Sequence, residues 1–84
     1  MENHFVVFVV EDDDWFSRLI VHTIEMDADF SVSAIKSAEE LFKQLAKQVP
    51  EIITLDYRLP DATGEEILKR LQSDYPDVEV LVIS

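Results

Sequence analysis

Two apolar runs in this chain end in carboxylates, and carboxylates delivered to one place can hold a cation or act as nucleophiles. Phe5 to Val10 leads into Glu11-Asp12-Asp13-Asp14, and Ile52 to Leu55 leads into Asp56. An ionised acid on the last position of an apolar strand is exposed to chemistry. Three such groups brought together repel one another, so the cluster must take up protons or hold a cation. With oxygen ligands only and neither Cys nor His nearby, a hard ion such as Mg²⁺ is the natural choice, completed by water and phosphate oxygens. Asp56 is then the candidate nucleophile, because a carboxylate can form an aspartyl-phosphate while the metal neutralises charge on the transferring oxygens. Glu11 and Asp12 are the acids that share the metal with it. Asp13 and Asp14 read instead as a helix cap and a dipole-complementing acid.

For these acids to meet, the runs that end in them must be neighbouring parallel strands. The hydrophobic pattern predicts that arrangement: an apolar run at 5–10, a helical pattern from about 14 to 27, and a strand-like stretch from Phe30 to Ile35. A helical pattern at 38–48, apolar Ile52 to Leu55, a helical pattern at 65–73 and apolar Val78 to Ile83 follow. Such alternation with short connections predicts an α/β fold, a mostly parallel sheet covered by helices on both faces. The first, third and fourth runs are almost continuously apolar. The second alternates Phe30, Val32 and Ala34 with Ser31 and Ser33, which predicts an edge strand. Right-handed crossovers then give the order 2-1-3-4, with the direction of winding reversing between the first and third strands. Open α/β sheets bind ligands at such a switch point, outside the carboxyl ends of the strands, and Glu11, Asp12 and Asp56 converge there.

Local signals agree with these boundaries. Ser37-x-x-Glu40 and Thr63-x-x-Glu66 have capping-box spacing ahead of apolar stripes, and Pro50 and Pro76 precede strands. Leu41, Phe42, Leu45 and Val49 share one helical face and Ile67, Leu68 and Leu71 another, leaving Lys43, Lys47, Lys69 and Arg70 in solvent. On the first helix Phe16, Ile20 and Ile24 form the inward stripe. Trp15 lies on its flank with Leu19 and Met26 and is expected to pack in the ordinary way. His4 and His22 have no acid placed to orient them and are expected at the surface.

Composition narrows the function classes. Eighty-four residues with 48% hydrophobic content make one small domain, which buries only about 60–65% of the surface its unfolded chain exposes. There is no cysteine, so neither disulfides nor a thiolate metal site can add stability, and a reducing, cytoplasmic setting is expected. The run at 5–10 is too short to span a membrane and no cationic segment precedes it. Seven basic against eighteen acidic residues give a net charge of -11, which opposes direct binding to nucleic acid or anionic lipid.

Val9-Val10-Glu11-Asp12-Asp13 and Leu55-Asp56-Tyr57-Arg58-Leu59-Pro60, with Gly64 eight positions past Asp56, resemble a two-component response-regulator receiver domain over all 84 residues. The resemblance implies a flavodoxin-like doubly wound sheet. It implies that Asp56 accepts a phosphoryl group from a sensor histidine kinase or phosphotransfer protein, and that Asp12, Asp56 and the backbone carbonyl of Arg58 hold Mg²⁺, with Glu11 contributing through water. Ser84 falls where the family has its switch hydroxyl. The resemblance also implies that residues 1–84 form a receiver domain incomplete at its C-terminus, ending before the family's last crossover helices and fifth strand. The chain would then lack the lysine that pairs with the phosphoryl oxygens, and phosphorylation would be impaired.

The same reading predicts self-association through an unpaired fourth strand and an uncovered first helix. An alternative is a non-signalling, self-associating fragment with a vestigial acidic pocket. An enzyme is not expected, since hydrolytic turnover needs a general acid or base and the only nearby groups are metal-binding acids.

Overall fold

The computed structural model describes residues 5–83. Its strands are β1 (Phe5–Val10), β2 (Phe30–Ile35), β3 (Ile52–Asp56) and β4 (Glu79–Ile83), and its helices are α1 (Asp14–Glu25), α2 (Ala38–Leu45) and α3 (Gly64–Asp74). The strands form one parallel sheet of order β2-β1-β3-β4, the order that apolar pattern and crossover hand predict and the doubly wound, flavodoxin-like arrangement that the resemblance implies. β2 is an edge, as its alternation implies.

β1 is apolar throughout because both of its faces are covered. Val7 and Val9 lie on one side and Phe8 and Val10 on the other, all of them buried. Phe8 and Val10 join Ile35, Ile53 and Leu55 beneath Leu41 and Leu45 of α2 and Ile67 and Leu71 of α3. Each fully buried side chain of this kind contributes about 1.5–3 kcal/mol. On the opposite face α1 lies over β2 and β1.

The helix starts follow the side chains that cap them. Asp13 accepts the Phe16 N–H at 3.0 Å and opens α1. Thr63 and Glu66 form a complete reciprocal capping box at the start of α3. At α2 only half of the expected box forms: Ser37 accepts the Glu40 N–H, but the Glu40 carboxylate takes the N–H of Lys36.

Three expectations are corrected. α2 ends at Leu45 and α1 at Glu25, earlier than the apolar pattern suggests. The Gln44 carbonyl accepts N–H bonds from both Lys47 and Gln48, closing the chain into a tight turn, and Val49 lies outside the helix at 52% exposure. Trp15 does not pack: it is 72% exposed. Ser17 is the residue of α1 that faces the sheet most deeply, and Trp15 sits two residues away, about 200° around the helix. Phe16, expected on the inward stripe, is 38% exposed, because Ser17 takes the position that faces the sheet. Arg70 is exposed as expected and lays its guanidinium over the Phe42 ring, 3.8 Å from the centroid, joining α3 to α2.

Candidate functional site

Strand register brings the acids together. Val10 pairs with Leu55 in the parallel ladder between β1 and β3, so Glu11 and Asp56 leave the sheet side by side where the winding reverses. The Glu11 N–H bonds the Ile35 carbonyl at 2.9 Å and carries the ladder one residue past β1. Carboxylate oxygens of Glu11, Asp12 and Asp56 all lie within 4.8 Å of one another. Asp12 is exposed, Asp56 half-buried and Glu11 buried.

Burial gives Glu11 its distinct character. Desolvation pushes its carboxyl above the ordinary carboxylate range, the Asp13 N–H that it accepts at 3.1 Å opposes the shift, and the charges of Asp56 and Asp12 add to it. An all-oxygen donor set of three mutually repelling carboxylates fits a hard divalent cation, whose charge would relieve that repulsion.

The loop after Asp56 is closely built. Arg58 lies opposite Thr63 in an antiparallel bridge, flanked by Gly64 N–H to Tyr57 carbonyl at 2.6 Å and Leu59 N–H to Ala62 carbonyl at 3.3 Å. Because the flanking residues make these bonds, the N–H and carbonyl of Arg58 turn away from Thr63. Its N–H reaches Asp56 Oδ1 at 3.2 Å. Neither rung of the loop uses the Arg58 carbonyl. The Arg58 side chain is exposed.

Two further contacts near the site had no signal in the sequence. Asp61 accepts the Ala38 N–H through Oδ1 and the Glu39 N–H through Oδ2, both at 2.9 Å, and these bonds hold its carboxyl below the usual range. Lys36 pairs with Asp14 at 2.5 Å and lowers that acid in the same way. Asp61 and Ala38 are 23 positions apart, so neither composition nor periodicity could join them. Asp13 and Asp14 occupy the capping and first-turn positions expected of them. His22 is exposed in the last turn of α1. Ser84 and His4 lie outside the described residues.

Residues 7–84 match the response regulator receiver domain family. The chain belongs to that family. Among curated relatives, this receiver domain is 30% identical over 84 residues to the transcriptional regulatory protein DegU of Brevibacillus brevis, covering 99% of this chain and 36% of that protein. It is 31% identical over 77 residues to the chemotaxis protein CheY of Listeria monocytogenes, covering 90% of this chain and 65% of that one. The chain therefore spans less than two thirds of either relative. Among solved structures, the MaeR response regulator bound to beryllium trifluoride superposes with a TM-score of 0.87 at 25% identity, over 94% of this chain and 66% of that one. CheY4 of Vibrio cholerae gives a TM-score of 0.86 at 24% identity, over 95% and 68%. Receiver domains of this kind are two-component signalling modules. Among the described residues, no helix is long and apolar enough to cross a membrane.

Proposed function

We propose that this receiver domain is a phosphoacceptor module in which Asp56 takes a phosphoryl group from a sensor histidine kinase or phosphotransfer protein in a Mg²⁺-dependent reaction. The convergence of Glu11, Asp12 and Asp56 within 4.8 Å carries this reading. A relative bound to beryllium trifluoride, a tetrahedral stand-in for a phosphoryl group, supports it.

An Asp56 carboxylate oxygen attacks phosphorus and forms an acyl-phosphate bond while the phosphorus–nitrogen bond of the donor histidine breaks, its electron pair returning to the imidazole. Asp12, Asp56 and the Arg58 carbonyl are the residues that would hold Mg²⁺, with Glu11 acting through water. Bound there, the ion would neutralise charge on the transferring oxygens. The Arg58 N–H steadies Asp56 Oδ1. Ser84 is the proposed switch hydroxyl. The domain is consumed stoichiometrically, so it is a substrate of its partner and not an enzyme, and its net charge of -11 disfavours direct nucleic-acid contact. We place it in the cytoplasm, as a receiver unit spanning residues 1–84.

Acetyl phosphate with Mg²⁺ is the test. Intact mass should show one phosphoryl adduct that hydroxylamine removes and that Asp56→Asn lacks. An adduct retained in Asp56→Asn would place the nucleophile elsewhere.

A second reading concerns assembly of the 84-residue chain. β4 is an edge strand whose Leu81 and Val82 are 51% and 45% exposed, and a second copy could pair with it through a two-fold contact that also covers α1. Sedimentation at micromolar concentration should show a dimer, and a monodisperse monomer would refute this reading.

A further inference from the structure

We propose that Asp61 is a positioning residue, which moors the loop between β3 and α3 to the start of α2 and thereby sets where the Arg58 carbonyl stands relative to the acid cluster. The inference rests on the phosphoacceptor reading above. Two rungs, Gly64 to Tyr57 and Leu59 to Ala62, make the loop a short stiff hairpin, but rungs within a hairpin do not stop the whole unit from swinging about its base at Asp56. A tie at the far end does. Asp61 supplies one there, and because its two oxygens engage two successive N–H groups, it fixes orientation as well as distance.

α2 has a cap of its own in Ser37, which serves the Glu40 N–H. Asp61 takes the two N–H groups ahead of it, those of buried Ala38 and exposed Glu39. Beyond that capping, the carboxylate attaches a remote loop. Lys36, beside this junction, also pairs with Asp14, the first residue of α1, across solvent-exposed side chains. Residues 36–39 thus contact both the loop that follows β3 and the start of α1.

The test is Mg²⁺ titration of the full chain, followed by amide shifts at residues 11–13 and 56–59, with thermal unfolding measured in parallel. Asp61→Ala should weaken Mg²⁺ on the order of tenfold, as loss of a support behind a metal ligand does. Asp61→Asn, which keeps one acceptor oxygen, should fall between wild type and Asp61→Ala. Ser37→Ala, which removes the native cap of α2 without touching the loop, should lower thermal stability and change Mg²⁺ affinity by less than about twofold. Asp61→Ala binding Mg²⁺ as tightly as wild type, with the Ala38 and Glu39 amides shifted, would overturn the inference. So would an equal loss in Ser37→Ala, which would assign the effect to helix stability. If wild type takes up no Mg²⁺ at all, the phosphoacceptor reading itself fails, and this inference falls with it.

Discussion

Gly64 approaches Tyr57 so closely that a Cβ on the glycine would stand 2.5 Å from Tyr57 Cδ1 and 3.0 Å from its Cα. The glycine is required by this close approach and not by a left-handed backbone, since no described glycine has positive φ. Its N–H simultaneously bonds the Tyr57 carbonyl at 2.6 Å, so the start of α3 rests directly on the residue after Asp56. A glycine eight positions beyond the aspartate is therefore part of what shapes the acidic crevice.

Gly64→Ala should destabilise the domain by about 1–3 kcal/mol, the range for forced overpacking, and shift the Asp56 and Tyr57 amides. In a Tyr57→Ala background the penalty should shrink without vanishing, because the clash with the ring goes while the crowding against the backbone of residue 57 stays. Urea unfolding of the four-member cycle measures both numbers.

Glu11 predicts a pH-dependent stability of the metal-free domain. Its folded carboxyl titrates above the ordinary 4.5, chiefly through burial. As pH rises from below 4.5, the unfolded chain loses this proton first, so stability falls until the folded group has also ionised. Glu11→Gln can keep the acceptor for the Asp13 N–H and remove the charge. It should raise metal-free stability at neutral pH, with the gain disappearing below pH 4.5. Thermal unfolding across that range checks it.

At the start of α3 the sign is opposite. Bonds from the Thr63 N–H and hydroxyl lower the Glu66 carboxyl below its ordinary 4.5. Their contribution is complete above that value and is lost as pH falls through the lower folded one. Thr63→Ala should cost about 1 kcal/mol at neutral pH by removing the cap from the Glu66 N–H. Unfolding measured at neutral and strongly acid pH should show the difference between Thr63→Ala and wild type shrinking in acid.

Core and edge should respond differently. Leu71, 1% exposed on the inward face of α3, should cost the domain about 2–5 kcal/mol on conversion to Ala. Leu81→Ser, on the half-exposed edge strand, should change unfolding free energy by no more than about 0.5 kcal/mol. The same variant should reduce any self-association seen by sedimentation. Denaturant midpoints and sedimentation coefficients together separate the two effects.

Strand order and the meeting of Glu11, Asp12 and Asp56 are legible in the sequence because both follow from local pattern: a period of apolar residues, the hand of crossovers, and acids at strand ends. Thr63 and Glu66 announce their helix for the same reason, since capping acts over three residues. Trp15 departs from expectation because the helical wheel gives its angle but not which arc the sheet covers, and that depends on how α1 sits over β1 and β2. The length of α2, the stacking of Arg70 on Phe42 and the steric need for Gly64 are likewise settled only by neighbours. Asp61 is the clearest case: an exposed acid in a turn carries no mark of its partner, and its bonds to Ala38 and Glu39 exist only because the fold sets two loops 22–23 residues apart in sequence side by side. Short-range physics is written in consecutive residues, whereas contacts between loops depend on how the packed layers place them.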